Sequence, residues 1–158
     1  MRSYQRILTI VDTCHSAEPV VRRAAQLAQL YRASLALACA VDYAAGLESD
    51  HIPFMTPVEM RKAIVADVGE KLRKLADAAG AGGAELIVAE GTSREVTVDL
   101  VTSWQPDLVV VSGEVAWPGE WNAIARSLEC DGQIDVLRVQ MDRPGFAGRI
   151  IQALAYGF

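Results

Sequence analysis

The chain has 158 residues, about one domain's worth, enough to bury roughly two thirds of its unfolded surface in a single core. About half of the residues are apolar and 22% are charged, the balance of an ordinary globular protein with no room for a long disordered segment. A net charge of -5 with no basic face argues against nucleic acid as a partner.

Residues 1–6 lead straight into an apolar run, with no apolar leader and no small-residue cleavage site, which implies a cytoplasmic protein. Residues 7–12 are a short β-branched run that reads as the first strand, Ile7 to Asp12. A helix is expected from about Ala17, with Ser16 as N-cap, Glu18 where the helix dipole favours an anion, and Pro19 where the amide has no partner. Its core stripe is Val20, Ala24, Leu27, Ala28 and Tyr31. Residues 34–41 read as a second strand, apolar on both faces and therefore central in a sheet.

A long loop begins at Asp42 and ends at Thr56-Pro57-Val58-Glu59, where Thr56 and Glu59 make a capping box and Pro57 takes the first helical position. The stripe Met60, Ile64, Val68, Leu72, Leu75 and Ala79 carries this helix for about six turns, until Gly80, Gly82 and Gly83 stop it. Residues 85–90 read as a third strand. Gly91-Thr92-Ser93-Arg94-Glu95 opens a third helix with a second capping box, and Val96, Leu100 and Trp104 form its stripe. Residues 107–112 read as the fourth strand, residues 118–130 as a helix, and residues 134–139 as an alternating, half-exposed fifth strand suited to a sheet edge.

Strands alternating with helices predict right-handed crossovers and an open, mostly parallel sheet with helices on both faces, an α/β fold. Beyond Arg143-Pro144-Gly145, the tail 144–158 places Phe146, Ile150, Leu154 and Phe158 on one helical face. Docking on the domain, a dimer contact and a membrane surface are all open for it. Arg149 alone gives little charge for the last of these.

Cys14, Cys39 and Cys130 show neither CxxC nor Cys/His ligand spacing, so neither a disulfide framework nor a metal site is expected. Cys14-His15 offers a thiol beside an imidazole, but adjacent loop residues rarely aim at each other and no third orienting group is present. His51 stands alone. Ser112-Gly113 lacks the nucleophile-elbow pattern, so no catalytic residue is assigned and no enzyme activity is expected. Arg22-Arg23 and Arg61-Lys62 read as solvated helix faces.

Order and spacing over residues 4–140 resemble the universal stress protein family. Tyr4-Gln5-Arg6-Ile7-Leu8-Thr9-Ile10-Val11-Asp12 looks like its first strand ending in Asp, Glu90-Gly91-Thr92-Ser93-Arg94-Glu95 like its Gly-Asp-Pro-type turn, and Ser112-Gly113 like the end of its fourth strand. The resemblance implies a Rossmann-like, adenine nucleotide alpha hydrolase-like fold with strand order 3-2-1-4-5, covering residues 1–143. It implies a crevice at the switch point between the first and fourth strands. It further implies a homodimer through the fifth strand. Asp135 and Arg138 on that strand are alternatively edge protection.

By position, Asp12 would face ribose or base, the Val41 backbone adenine, and Ser112, Gly113, Arg126 and Ser127 the phosphates of ATP or AMP with Mg. Asp12 is equally a cap for its own loop. ATP-binding members carry G-x2-G-x9-G-[ST] after the fourth strand. Here Gly113 and Ser127 stay, while Ala116 and Arg126 replace the other glycines. Glycine lets amides approach phosphate without a Cβ in the way, and Arg126 brings bulk, or alternatively a charged donor, to that place. Trp117 and Trp121 favour plugging the crevice or packing at an interface over stacking on a ligand. The segment after Ser127 is short by about a helical turn, and Asp12-Thr13-Cys14-His15-Ser16 lacks the glycine common in that first loop. The expectation is a small dimeric stress-response or signalling module with lost or altered nucleotide binding; the alternative is an ATP/AMP-binding member with a modified loop, for which slow ATP hydrolysis stays open. A protein partner for the tail remains open.

Overall fold

In the computed structural model, residues 3–11, 17–43, 55–112, 128 and 132–139 are described. The elements run β1 (Arg6–Val11), α1 (Glu18–Tyr31), β2 (Ser34–Val41), α2 (Pro57–Ala78), β3 (Glu85–Glu90), α3 (Ser93–Trp104), β4 (Leu108–Ser112) and β5 (Asp135–Val139). The five strands form one sheet in the order β3-β2-β1-β4-β5, and every pair is parallel. β1 is shifted one residue earlier at both ends, and β4 and β5 each begin one residue later than expected. β2 and β3 match the expected bounds.

Strand alternation splits the core between two faces. Ile7, Val11, Leu37, Cys39, Leu108 and Val110 face α1 and α2, whereas Leu8, Ile10, Ala36, Ala38, Val109 and Val111 pack with α3 and with the buried Leu128. α1 buries more than its expected stripe. Val21 and Ala25 join the cluster under α2, while Val20, Ala24 and Ala28 join the one over β4. One helix lying above the central strand fills both halves of that face, so its apolar arc is wider than a single-contact helix needs.

α2 shows the opposite departure. Its 22 residues extend to about 33 Å, against about 20 Å for the six residues of β3. The burial is accordingly concentrated in the second half of α2, at Leu72 and Ala76, with Met60 and Ile64 only half-buried.

Both capping boxes form as expected. Thr56 Oγ1 accepts from the Glu59 amide at 3.3 Å while the Thr56 amide donates to Glu59 Oε2 at 2.8 Å, and the Thr92–Glu95 pair repeats this at 3.2 and 3.0 Å. α1 differs: its N-cap is Ala17, with no side-chain cap bond, and Glu18 pairs with Arg22 one turn on. The expected cap at Ser16 lies outside the described residues, as do the helix over 118–130 apart from Leu128, and the whole tail 144–158.

Candidate functional site

The sheet order reverses between β1 and β4. β1 leads through α1 to β2 on one side, and β4 is followed by β5 on the other. The ladder Ile7↔Leu108, Leu8↔Val109, Thr9↔Val110, continued two residues, brings the ends Val11 and Ser112 side by side. Val11 is buried and Ser112 half-buried. Leu128, buried against Leu8, Ile10, Val109 and Val111, anchors the chain just after position 127 on the α3 face of the same two strands.

Of the sequence-derived site residues, Val41 and Ser112 are described. Asp12, Gly113, Arg126 and Ser127 lie outside the described residues, with Cys14, His15, His51, Ala116, Trp117, Trp121 and Cys130. Val41 closes β2. Its carbonyl accepts from the Gly91 amide at 3.0 Å, which ties this end of β2 to β3. Backbone polar groups alternate sides along a strand, so the carbonyl turned toward β1 at this level is that of Ala40. The β1–β2 ladder itself ends at Val11↔Cys39.

A further group flanks this end of the sheet. Tyr43, two residues past β2, donates its hydroxyl to Glu90 Oε1 at 3.1 Å, and the Arg61 guanidinium lies 5.2 Å from its ring centroid. Partial desolvation, then the hydrogen bond to Glu90, raises the Tyr43 pKa, so the phenol stays protonated and keeps donating. Arg61 packs on an aromatic face while it and Lys62 stay exposed, as the solvated cluster expected from the sequence requires. The residues link the chain just after β2, the end of β3 and the second turn of α2. Sequence reading passed over Tyr43, whose one signal is an aromatic residue just beyond a strand's ligand-side end.

Gly91 has φ +132, a conformation side chains rarely adopt, and a Cβ there would stand 3.3 Å from Glu95 Oε2. It lets the chain turn from β3 into the second capping box. Among the described residues no cluster of three His, Cys, Asp or Glu side chains stands ready for a metal, and no helix is long and apolar enough to cross a membrane. Cys39 is buried, and its thiol donates to the Ala40 carbonyl at 3.7 Å.

A parallel 3-2-1-4-5 sheet with its switch point between β1 and β4 defines a doubly wound α/β protein, a class that takes ligands outside the carboxyl ends of the strands at that point. The universal stress protein family model matches residues 3–114, and the chain belongs to that family. Among solved structures, it is similar to a universal stress protein crystallised in complex with cAMP, at 24% identity over 88% of this chain and 98% of the other, TM-score 0.61. It also resembles the universal stress protein UspA from Lactobacillus plantarum (19% identity, 89% and 99% covered, TM-score 0.57). A universal stress family protein from Burkholderia pseudomallei is similar at 17% identity (88% and 98% covered, TM-score 0.59). No curated protein matches the chain.

Proposed function

We propose that this universal stress protein is a non-enzymatic cytoplasmic interaction module that works as a homodimer and whose nucleotide crevice is lost or altered. The observation that carries the reading is a contrast at the switch point. Val11 and Ser112 end side by side as the fold requires, yet the chain beyond them has Ala116 and Arg126 where phosphate-cradling members have glycine. In this reading Asp12, the backbone near Val41, Ser112, Gly113, Arg126 and Ser127 border what remains of the crevice, and Arg126 fills phosphate space.

The alternative, an ATP- or AMP-binding member with a modified loop, draws support from the cAMP-bound structure to which the chain is similar. In that case Arg126 supplies a charge-assisted donor in place of the glycine amide. Titration of ATP with Mg, and of AMP, followed by Trp117 and Trp121 fluorescence, separates the two. A flat response supports the altered crevice; saturation near 10 μM, about -7 kcal/mol, supports the alternative.

The dimer rests on β5. Among the described residues it pairs only with β4, has Leu137 and Val139 facing the α1 side and Val136 the α3 side, and exposes Arg138. Asp135, the other charge on this strand, accepts from the Tyr4 hydroxyl at 2.8 Å. An edge with one exposed charge is poorly protected against pairing with a second copy.

A further inference from the structure

At the amino end of the sheet, away from the switch point, lies an open, mostly polar cleft of about 690 Å³. Its walls come from separate elements: Tyr4 and Arg6 at the start of β1, Tyr31 and Arg32 at the end of α1, Glu85 opening β3, and Trp104 closing α3. The Arg6 guanidinium lies over the Trp104 ring, 4.6 Å from its centroid, and the Trp104 indole N–H donates to Glu85 Oε2 at 3.0 Å. Tyr4 and Tyr31 meet edge to face with centroids 5.1 Å apart. Arg32 has a fixed backbone: with φ 55, it caps α1 by donating its amide to the Ala28 and Gln29 carbonyls.

The charges at this end are distributed unusually. Three nearby carboxylates accept from neutral donors: Glu85 from Trp104, Asp135 from Tyr4, and Asp107 from the backbone amides of Gln5 and Arg6 at 2.7 and 3.0 Å. Arg6 and Arg32 form no ion pair among the described residues, whereas Arg22, Lys71 and Lys74 each pair with an acid four residues earlier. Part of this is explained by α1 and α3 ending here, since a cation offsets their carbonyl ends. Arg32 answers to that account. Arg6 stands on a strand and is held over the ring of Trp104, and its guanidinium N–H groups have no hydrogen-bond partner among the described residues.

Two guanidinium groups opening on one cleft, with aromatic rings around them, match one class of ligand. An oxyanion takes the planar donor forks of the arginines, and a ring packs against tyrosine and tryptophan. We propose that this cleft binds a small aromatic anion, a ring bearing a carboxylate or phosphate group, independently of the crevice at the opposite end of the sheet.

The test is a ¹H–¹⁵N NMR titration of the full chain with benzoate and with phenyl phosphate, following the Trp104 indole N–H, which a Trp104→Phe variant assigns. Inorganic phosphate and benzyl alcohol serve as the anion-only and ring-only probes. Expected are a saturable shift with either aromatic anion, an affinity at least tenfold lower in Arg32→Gln and Arg6→Gln, and weaker effects of both partial probes. Arg32→Gln changes an exposed side chain and keeps the fold testable if Arg6→Gln weakens the Trp104 contact. The proposal is overturned by absence of saturation up to about 10 mM, by unchanged affinity in Arg32→Gln, or by inorganic phosphate binding as tightly as phenyl phosphate.

Discussion

Thr9 sits in the middle of the central strand, opposite Leu37 on β2 and Val110 on β4. Its side chain is 0% exposed, and its hydroxyl has no hydrogen-bond partner among the described residues. A buried, unsatisfied hydroxyl costs about 1–3 kcal/mol in mutational terms. Thr9→Val replaces that hydroxyl with a methyl of nearly the same shape and adds about 0.8 kcal/mol of apolar burial. Allowing for imperfect repacking around a methyl, the expected gain is about 1–2 kcal/mol, or roughly 3–6 °C in Tm for a chain of this size. Urea unfolding followed by circular dichroism should show a higher midpoint at unchanged m. Thr97 is the control: it is equally buried but its hydroxyl donates to the Ser93 carbonyl at 2.6 Å, so Thr97→Val should bring no comparable gain. A Thr9→Val variant that is neutral or less stable would refute the reasoning and mean that the hydroxyl has a partner, such as a bound water.

Thr92→Ala should cost about 1 kcal/mol by chemical denaturation, because it removes the N-cap acceptor of α3. The carboxyls of Glu59 and Glu95 are held below the usual glutamate range, chiefly by backbone hydrogen bonds from Thr56 and Thr92. Their folded pKa values are depressed, so the stability they contribute is present above the ordinary glutamate pKa and lost as pH falls through the lowered value. Urea midpoints measured on descending through pH 5 to 3 should therefore fall, and the glutamate-to-glutamine variants should flatten that fall. Gly91→Ala should destabilise by about 1–2 kcal/mol, since alanine at φ +132 is strained and its Cβ crowds Glu95; a neutral thermal scan contradicts this. Light scattering at tens of micromolar should give a dimer mass for the wild type and a monomer for a Val136→Lys, Leu137→Lys variant. A monomeric wild type removes the β5 pairing.

The arrangement of elements was readable because local signals agreed with the global pattern. Thr56-Pro57-Val58-Glu59 and Thr92-Ser93-Arg94-Glu95 each carry a full capping box, and the apolar run of β2 says that both its faces are covered. What one chain position cannot disclose is how many neighbours an element meets. α1 buries Val21 and Ala25 as well as the expected stripe because it serves both core clusters of its face, and α2 buries little of its first turns because it outruns the strands below it. At the ligand edge, strand ends were legible to within a residue. The direction of a carbonyl was not, since the Val41–Gly91 bond depends on the register between β2 and β3. The amino-end cleft was invisible for another reason: Tyr4, Arg6, Arg32, Glu85 and Trp104 are scattered over a hundred positions and converge only through the parallel crossovers.

The central claim is that the switch point persists while the loop beyond it no longer holds a nucleotide in the inherited manner. Isothermal calorimetry of ATP with Mg against the wild type and against an Ala116→Gly, Arg126→Gly variant tests it most directly. The wild type should give no saturable heat and the variant recovered one-site binding, because its backbone amides regain their approach to phosphate. Low-micromolar, one-site binding by the wild type would contradict it.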